Sequence, residues 1–214
     1  MKKRTGEILA VLDQLYGTDI TCFLHAEDAG QLLIATILSA QCTDARVNLV
    51  TKELFVKYPD MQAFANADLQ ELEQDIRSTG FYHNKAKNII ACARMLCEKY
   101  DGQVPQTIEE LTALPGVGRK TANVVRGNIF HEPSIVVDTH VKRIAGRLGF
   151  TKETDPVKVE FDLMKEIPKD HWILINLQLI TFGREICKAR SPMSSSCQLV
   201  GYFREEKTRR EKHA

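Results

Sequence analysis

Apolar residues recur along this chain at spacings of three, four and seven positions, with polar residues between them. Ile8, Leu12 and Leu15 follow this spacing. Leu49, Leu54 and Phe55 are likewise assigned to one apolar face of a helix. Because the spacing places apolar side chains on one side of an α-helix, it predicts helices. The predicted helices span residues 3–16, 29–40, 43–57, 68–78, 84–100, 107–113, 119–129, 139–149, 156–166 and 170–186. No segment alternates as a half-buried strand does, so we expect an all-α fold.

Helix start signals support these boundaries. Asp68 is followed three residues later by Glu71, and Thr107 by Glu110, which are capping-box patterns. Asp155 stands directly before a proline, which favours a helix that begins at the proline. Several of the predicted helices therefore have a local reason to begin where they do.

Composition narrows the function without identifying it. The 214 residues are 43% hydrophobic and 27% charged, which is typical of a folded globular protein. The net charge of +1 gives no sign of nucleic-acid binding, so any DNA-binding surface must come from how the basic residues are arranged. Glu7 and Asp13 interrupt the N-terminal apolar pattern and exclude a signal peptide. We expect a cytoplasmic protein, in which the six cysteines are buried thiols or metal ligands rather than a disulfide framework.

The segment at residues 114–121, Leu-Pro-Gly-Val-Gly-Arg-Lys-Thr, lies between two predicted helices. Pro115 ends the first helix, and Gly116 and Gly118 permit positive φ angles and close approach of another backbone. The following helix begins with N–H groups that point outward at its positive end. Such a helix–hairpin–helix binds a DNA phosphate without recognising sequence, although a plain tight turn has the same local pattern.

Four segments together resemble the endonuclease III family of DNA glycosylases. They are LPGVGRKTANVV at 114–125, IVVDTHVKR at 135–143, ILSAQCTD at 37–44 and GFYHNKAKNI at 80–89. The resemblance extends from the first helix to about Cys197 and is specific in its combination of motifs. A helix–hairpin–helix alone also occurs in DNA-binding proteins that are not enzymes.

The resemblance implies a two-domain helix–hairpin–helix glycosylase fold with a DNA-binding cleft between the domains. Residues 22–132 would form a six-helix barrel that carries the hairpin, and residues 1–21 with 133–214 the second helical domain. The implied activity is removal of damaged bases, expected to be oxidised pyrimidines, with AP-lyase cleavage by β-elimination. The implied partner is double-stranded DNA with damaged bases or abasic sites. We expect a nucleoid-associated monomer with no membrane partner.

Lys120 and Asp138 are the predicted catalytic residues. Lysine attacks carbon only as the neutral amine, and the positive end of a helix and partial desolvation both disfavour its charged form. In the family, the matching lysine attacks C1′ of the damaged nucleotide and forms a Schiff base. Asp138 has the position of a helix N-cap, and the resemblance adds a catalytic role. An exposed phosphate-binding lysine and a plain cap are the alternatives.

Other residues are predicted to contact DNA. An enzyme that acts on a base within a duplex must extrude the base and fill the gap. The resemblance assigns the filling role to Gln41 and a wedge role to Phe81, where relatives usually have leucine; both could instead be ordinary core or loop residues. The remaining predicted DNA contacts are Gly116, Gly118, Arg119, Thr121, His140, Lys188 and Arg190. A structural histidine is nearly as good an explanation of His140.

The iron–sulfur cluster of many relatives is expected to be lost. Those relatives bind a [4Fe–4S] cluster through cysteines spaced C-x6-C-x2-C-x5-C. Counted from Cys187, this chain has Ser194, Cys197 and Phe203 at the next three positions. Two thiolates remain of the four that a cubane cluster usually needs, so we expect neither cofactor nor metal.

Two other functions remain open. A monofunctional mismatch glycosylase would lack the lysine and would carry a carboxylate in the helix at 32–41, where this chain has none. A non-catalytic helix–hairpin–helix DNA-binding protein would explain the hairpin but not Lys120 together with Asp138. An iron–sulfur protein of metabolism would need more ligands than remain. The resemblance favours the bifunctional enzyme.

Overall fold

The computed structural model describes residues 3–190 and 198–203, and these residues are helical with no β-strand. The helices are α1 (Lys3–Tyr16), α2 (Ala29–Leu38), α3 (Asp44–Lys57), α4 (Met61–Ala65), α5 (Leu69–Asp75), α6 (Tyr82–Tyr100), α7 (Ile108–Ala113), α8 (Arg119–Asn128), α9 (Thr139–Arg147), α10 (Pro156–Glu166) and α11 (Trp172–Glu185). Short 3₁₀ turns occur at Arg77–Thr79, Lys169–His171 and Val200–Tyr202. The all-α prediction is confirmed, and all ten expected helices are present.

The predicted helix starts are confirmed by their caps. The side chain of Asp68 accepts the N–H of Glu71 at 2.9 Å, and that of Thr107 accepts the N–H of Glu110 at 3.3 Å. Asp155 caps α10 in the same way, directly before the proline. The first N–H groups of a helix have no acceptor within the helix, and the side chain of the N-cap residue supplies one. Each of these helices therefore begins directly after its N-cap residue.

Sequence analysis missed one helix and misassigned one face. Helix α4 has only five residues, too few for an apolar periodicity to be visible. Helix α3 buries Val47, Thr51 and Leu54, whose spacings of four and three place them on one side. Leu49 is 64% exposed, so its assignment to the buried face is wrong. It lies five residues before Leu54, and a turn of about 100° per residue points the two side chains in different directions.

The chain forms two compact units, Cys22–Glu132 and Met1–Thr21 with Pro133–Ala214. In the first unit, the buried residues of α2 and α6 pack with Phe64 of α4. In the second unit, Ile8 and Leu12 of α1 pack with buried residues of α9, α10 and α11. Each unit thus has an apolar core of its own.

The described cysteines form no disulfide. Cys22, Cys42, Cys92, Cys97 and Cys187 are all free thiols. Burial raises the pKa of the Cys92 thiol to about 12, which keeps it protonated at neutral pH. Across residues 3–190 and 198–203, no helix has the length and apolar character needed to cross a membrane.

Candidate active site and DNA-contacting residues

The hairpin is a turn between α7 and α8 in the unit Cys22–Glu132. The N–H of Val117 donates to the carbonyl of Leu114 at 3.1 Å, and both side chains are buried. Gly116 and Gly118 remain exposed. Two apolar anchors therefore fix the turn to the core while its glycine backbone faces solvent.

The two glycines of the hairpin are needed for different reasons. Gly116 has a φ of +75°, which glycine adopts without steric cost, and a Cβ at this position would lie 2.8 Å from Cβ of Asn88 on α6. Gly118 has a φ of −91°, so the expectation of positive φ is wrong for this residue. No described atom lies within 4 Å of the position that a Gly118 Cβ would take. Gly118 leaves open space at the start of α8, where a DNA backbone can approach.

Helix α8 begins without a side-chain cap and without an acidic residue in its first turn. The N–H groups at such a helix start form an anion-binding site. Arg119, which makes an interaction within the protein, is half-buried, and Thr121 is also half-buried. Lys120 is exposed. The lysine lies in the first turn of an uncapped helix with its side chain in solvent.

Asp138 caps α9, as expected. Its Oδ1 accepts the N–H of Val141 at 2.7 Å, and its backbone is extended. The residues just before Asp138 are the buried run at 135–137, which fixes the entry of the chain into the helix. A carboxylate has two oxygens, so capping through Oδ1 is compatible with a second role for the group.

His140 is half-buried in the first turn of α9. Nη2 of Arg143 lies 3.2 Å from its Nδ1 and also donates to the carbonyls of Gly183 and Cys187. Burial lowers the pKa of His140, against the opposing effect of the Asp138 carboxylate. The histidine has a structural partner, and its contact with DNA stays a prediction.

Gln41 and Phe81 share a backbone conformation that neither residue type predicts. Both have left-handed φ angles, 54° for Gln41 and 50° for Phe81. Such a conformation costs a non-glycine residue about 1–3 kcal/mol and persists only where the surrounding structure enforces it. Both side chains are exposed, Phe81 to 62%. Gln41 follows the end of α2, and Phe81 directly precedes α6.

The first residue of the expected cluster motif, Cys187, is buried just after α11. Nη1 of Arg147 donates to Sγ of Cys187 at 2.9 Å and to the carbonyl of Lys188 at 3.1 Å. Lys188 and Arg190 are both exposed. The two basic residues thus follow a thiol that is hydrogen-bonded within the protein.

Phe203, at the last position of the motif, packs with its neighbour Tyr202 against the core that contains Leu199. Nη2 of Arg4 on α1 donates to the carbonyl of Tyr202 at 2.6 Å. Ser194 and Cys197 lie outside the described residues. The segment around Phe203 is therefore held against α1 by packing and by this hydrogen bond.

The candidate residues fall into two groups. Gln41, Phe81, Lys120 and the hairpin lie in the unit Cys22–Glu132. The other unit contains Asp138, His140, Lys188 and Arg190. The pairing of Lys120 with Asp138 therefore stays a prediction.

Two neighbours of these residues were not identified from the sequence as having a role. Lys85, within the motif at 80–89, is buried beneath the turns that precede Gln41 and Phe81. The second neighbour, Arg147, donates a hydrogen bond to the thiol of Cys187. A buried lysine is rare enough to be a signal, but its burial was not visible in the sequence because α6 has lysines on its exposed side as well.

Residues 34–169 match the family of HhH-GPD superfamily base excision DNA repair proteins. The chain is 53% identical over 200 residues to endonuclease III of Synechocystis sp., covering 93% of this chain and 91% of that protein. It is 48% identical over 192 residues to endonuclease III of Bacillus subtilis, covering 89% and 88%.

A solved structure of a trapped endonuclease III–DNA covalent intermediate, an estranged-adenine complex, is similar with a TM-score of 0.87 and 49% identity. The match covers 94% of this chain and 96% of that one. The resemblance in the sequence motifs is thus confirmed over nearly the whole chain. The chain belongs to the HhH-GPD superfamily of base excision DNA repair proteins and, within it, to the endonuclease III family.

Proposed function

We propose that this protein is a bifunctional DNA glycosylase and AP lyase that removes oxidised pyrimidines from double-stranded DNA. The observation that carries the proposal is Lys120, exposed in the first turn of a helix that no side chain caps. The hairpin before it can hold a DNA phosphate next to the lysine. The similarity to an endonuclease III trapped in a covalent intermediate with DNA supports covalent chemistry at this position.

The proposed reaction begins with the neutral amine of Lys120. Its nitrogen forms a bond to C1′ of the damaged nucleotide, while the bond from C1′ to the base breaks and the base leaves with the electron pair. The base is released with a proton. Loss of a proton from nitrogen and opening of the sugar give a Schiff base between Lys120 and C1′. A proton then leaves C2′, and the bond from C3′ to the phosphate oxygen breaks, which cuts the strand on the 3′ side.

Asp138 supplies a negative charge in this scheme. It stabilises the oxocarbenium-like sugar as the base departs, or it accepts the proton that Lys120 must lose. Its position at the start of α9 is fixed by the hydrogen bond from Val141, so the carboxylate is held ready without rearrangement. The proposal requires Asp138 and Lys120 to act on the same nucleotide.

The remaining residues bind DNA in this proposal. Gln41 fills the space left by the extruded base, and Phe81 is the wedge at the same position of the duplex. Both are exposed and held in strained backbone conformations, which suits side chains that must enter a base stack. The exposed Lys188 and Arg190 contact phosphates. The base-extruding residues and the nucleophile thus belong to the same unit.

We propose that the protein works without the [4Fe–4S] cluster of its relatives. The residues do not fit the cluster, because Phe203 cannot ligate iron and packs against the protein core instead. The Cys187 thiol already accepts a hydrogen bond from Arg147. In the described ranges 3–190 and 198–203, no group of three potential metal ligands is found. In this proposal, packing and hydrogen bonds stabilise the segments around Cys187 and Phe203 in place of the cluster.

Trapping with borohydride tests the proposed function. Borohydride reduces a Schiff base to a stable amine, so a duplex with an abasic site or thymine glycol should become covalently attached to the protein. Lys120→Gln should abolish the adduct while binding to undamaged duplex changes little. The exposed Lys99 on α6 gives a matched control, because Lys99→Gln removes a lysine without touching the hairpin. An undiminished adduct in Lys120→Gln would refute the assignment of Lys120 as the nucleophile.

A further inference from the structure

Lys85 is a buried lysine in the first turn of α6. Among the described residues, only Lys85 and Glu160 combine a charged side chain with burial, and Lys85 is 4% exposed. Burial of a lysine is unfavourable unless its donors are satisfied, so the position calls for an explanation. No step of the proposed function uses this residue.

The ammonium of Lys85 joins two turns that are distant in sequence. Nζ donates to the carbonyl of Leu38 and to the carbonyl of Thr79, each at 2.8 Å. Leu38 is the last residue of α2, and Thr79 is the last residue of a 3₁₀ turn. The carbonyl of Leu38 comes three residues before Gln41, and that of Thr79 two residues before Phe81.

The same ammonium therefore holds the two turns that lead into Gln41 and Phe81, whose side chains are proposed to enter the duplex. Gln41 and Phe81 each have a left-handed backbone, a conformation that persists only where neighbouring contacts enforce it. Burial lowers the pKa of Lys85, and the nearby Cys42 thiol, next to Gln41, acts in the opposite direction. An ammonium has three donors and no acceptor, so it is suited to bridging two carbonyls.

We propose that Lys85 is a positioning residue for base extrusion, which fixes the spacing of Gln41 and Phe81 by tying the end of α2 to the turn before α6. The inference rests on the proposed function of these two residues. Lys85 itself does not contact DNA. Its effect is confined to substrates whose damaged base must be removed from a base pair, and the chemistry at Lys120 does not depend on it.

The test compares two substrates that differ in the need for extrusion. One is a duplex with thymine glycol paired to adenine, and the other is single-stranded DNA with an abasic site, which has no base to extrude. Lys85→Met keeps the length of the side chain and removes its donors. We expect kcat/KM on the paired duplex to fall about 10- to 100-fold, as for other misplaced site residues, with little change on the abasic strand. Lys85→Arg, which keeps donors, should recover part of the loss.

Lys99→Met is the matched control, because it removes an exposed lysine from the same helix and should leave both substrates unaffected. Equal loss of activity on both substrates in Lys85→Met would overturn the proposal and reduce Lys85 to a support of the fold. Unchanged activity on the paired duplex would overturn it as well. Failure of the wild-type protein to be trapped on a duplex with an abasic site would instead contradict the proposed function, so the two failures are distinguishable.

Additivity gives a second test that does not depend on the stability of Lys85→Met alone. If Lys85 acts through the two inserted side chains, Lys85→Arg should cost nothing further on the paired duplex once Gln41→Ala and Phe81→Ala are both present. A loss of the same size in that background and in the wild type would show that Lys85 acts independently of them. That result would overturn the proposal.

Discussion

Arg147 donates a hydrogen bond from Nη1 to the buried Sγ of Cys187 at 2.9 Å. Cys187 is the residue from which the cluster spacing is counted, and its thiol has a protein partner that does not involve metal. Arg147 also binds the carbonyls of Lys188 and Ala189, so one guanidinium holds the chain that follows α11. The segment directly after α11 is thus fixed by hydrogen bonds.

Protein prepared without oxygen should contain no stoichiometric iron and should lack the visible absorption of an iron–sulfur centre. Only two of the four positions in the motif can supply a thiolate. Cys187→Ser keeps an acceptor for Arg147 and should retain most of the stability and lyase activity. Iron analysis and thermal unfolding check both statements. About four irons per chain would show that the cluster persists. Unfolding of Cys187→Ser would show that the thiol, rather than any acceptor at this position, is needed for stability.

Arg147→Met should lower the free energy of unfolding by about 1–3 kcal/mol, because the groups that it binds lose their donor. Urea unfolding measures the change. Arg46, which is exposed on α3, provides the control, since Arg46→Met should change the stability by less than about 0.5 kcal/mol. Equal effects of the two substitutions would mean that Arg147 does not stabilise this segment.

Local patterns were sufficient to predict the helices and their starts. The caps at Asp68, Thr107, Asp138 and Asp155 act between residues three apart, so the sequence contains both partners. Helix α4 was missed because five residues do not complete two turns. Long apolar periodicity and short-range capping are therefore predictable, and a short helix that is stabilised by packing is not.

The candidate site was predictable only in its residue types. The motifs identify Lys120, Asp138, Gln41 and Phe81, but the left-handed backbone of the last two depends on contacts from other parts of the fold. The bridge from Lys85 to Leu38 spans 47 residues, and no pattern in the sequence connects them. Such long-range contacts decide geometry, which explains why the positioning residue emerged only from the structure.

Alanine at the two hairpin glycines should separate folding from DNA binding. Gly116→Ala forces a positive φ and a close contact with Asn88, so it should lower stability by about 1–3 kcal/mol. Gly118 has a φ angle that alanine adopts readily, and there is open space for the added methyl group. The stability of Gly118→Ala should therefore change little. Its methyl group should nevertheless weaken binding to all duplexes alike, as measured by fluorescence anisotropy. If Gly118→Ala altered only the lesion preference, the phosphate-binding role of the hairpin would be wrong.

His171 should make part of the stability dependent on pH. Burial alone would lower its pKa, but hydrogen bonds with Asp170 and Asp13 outweigh burial and raise the pKa above its usual value. A raised pKa contributes stability that is complete below the unfolded value of about 6.5 and is lost as the pH rises through the folded value. The loss of stability in His171→Gln should therefore be larger at about pH 5.5 than at about pH 8.5. Unfolding at the two pH values measures it, and equal losses would contradict the ion pairing.

Asp138→Asn should separate the cap from the catalytic role. Asparagine caps a helix about as well as aspartate, so the free energy of unfolding should change by less than about 0.5 kcal/mol. The negative charge is lost, and base release should slow by about 100-fold or more, as when a preorganised electrostatic partner is removed. Single-turnover release of thymine glycol measures this rate, with DNA binding measured on the same variant.

Asp155→Asn is the matched control for this substitution. Asp155 caps α10 through the same geometry, in which Oδ1 accepts the N–H of the residue three positions later at 3.0 Å. Because Asp155 has no role in the proposed reaction, its variant should match Asp138→Asn in stability and the wild type in base release. Near-normal base release in Asp138→Asn would leave Asp138 a cap and nothing more. A slow rate in Asp155→Asn as well would mean that the loss in Asp138→Asn does not come from the charge at the site.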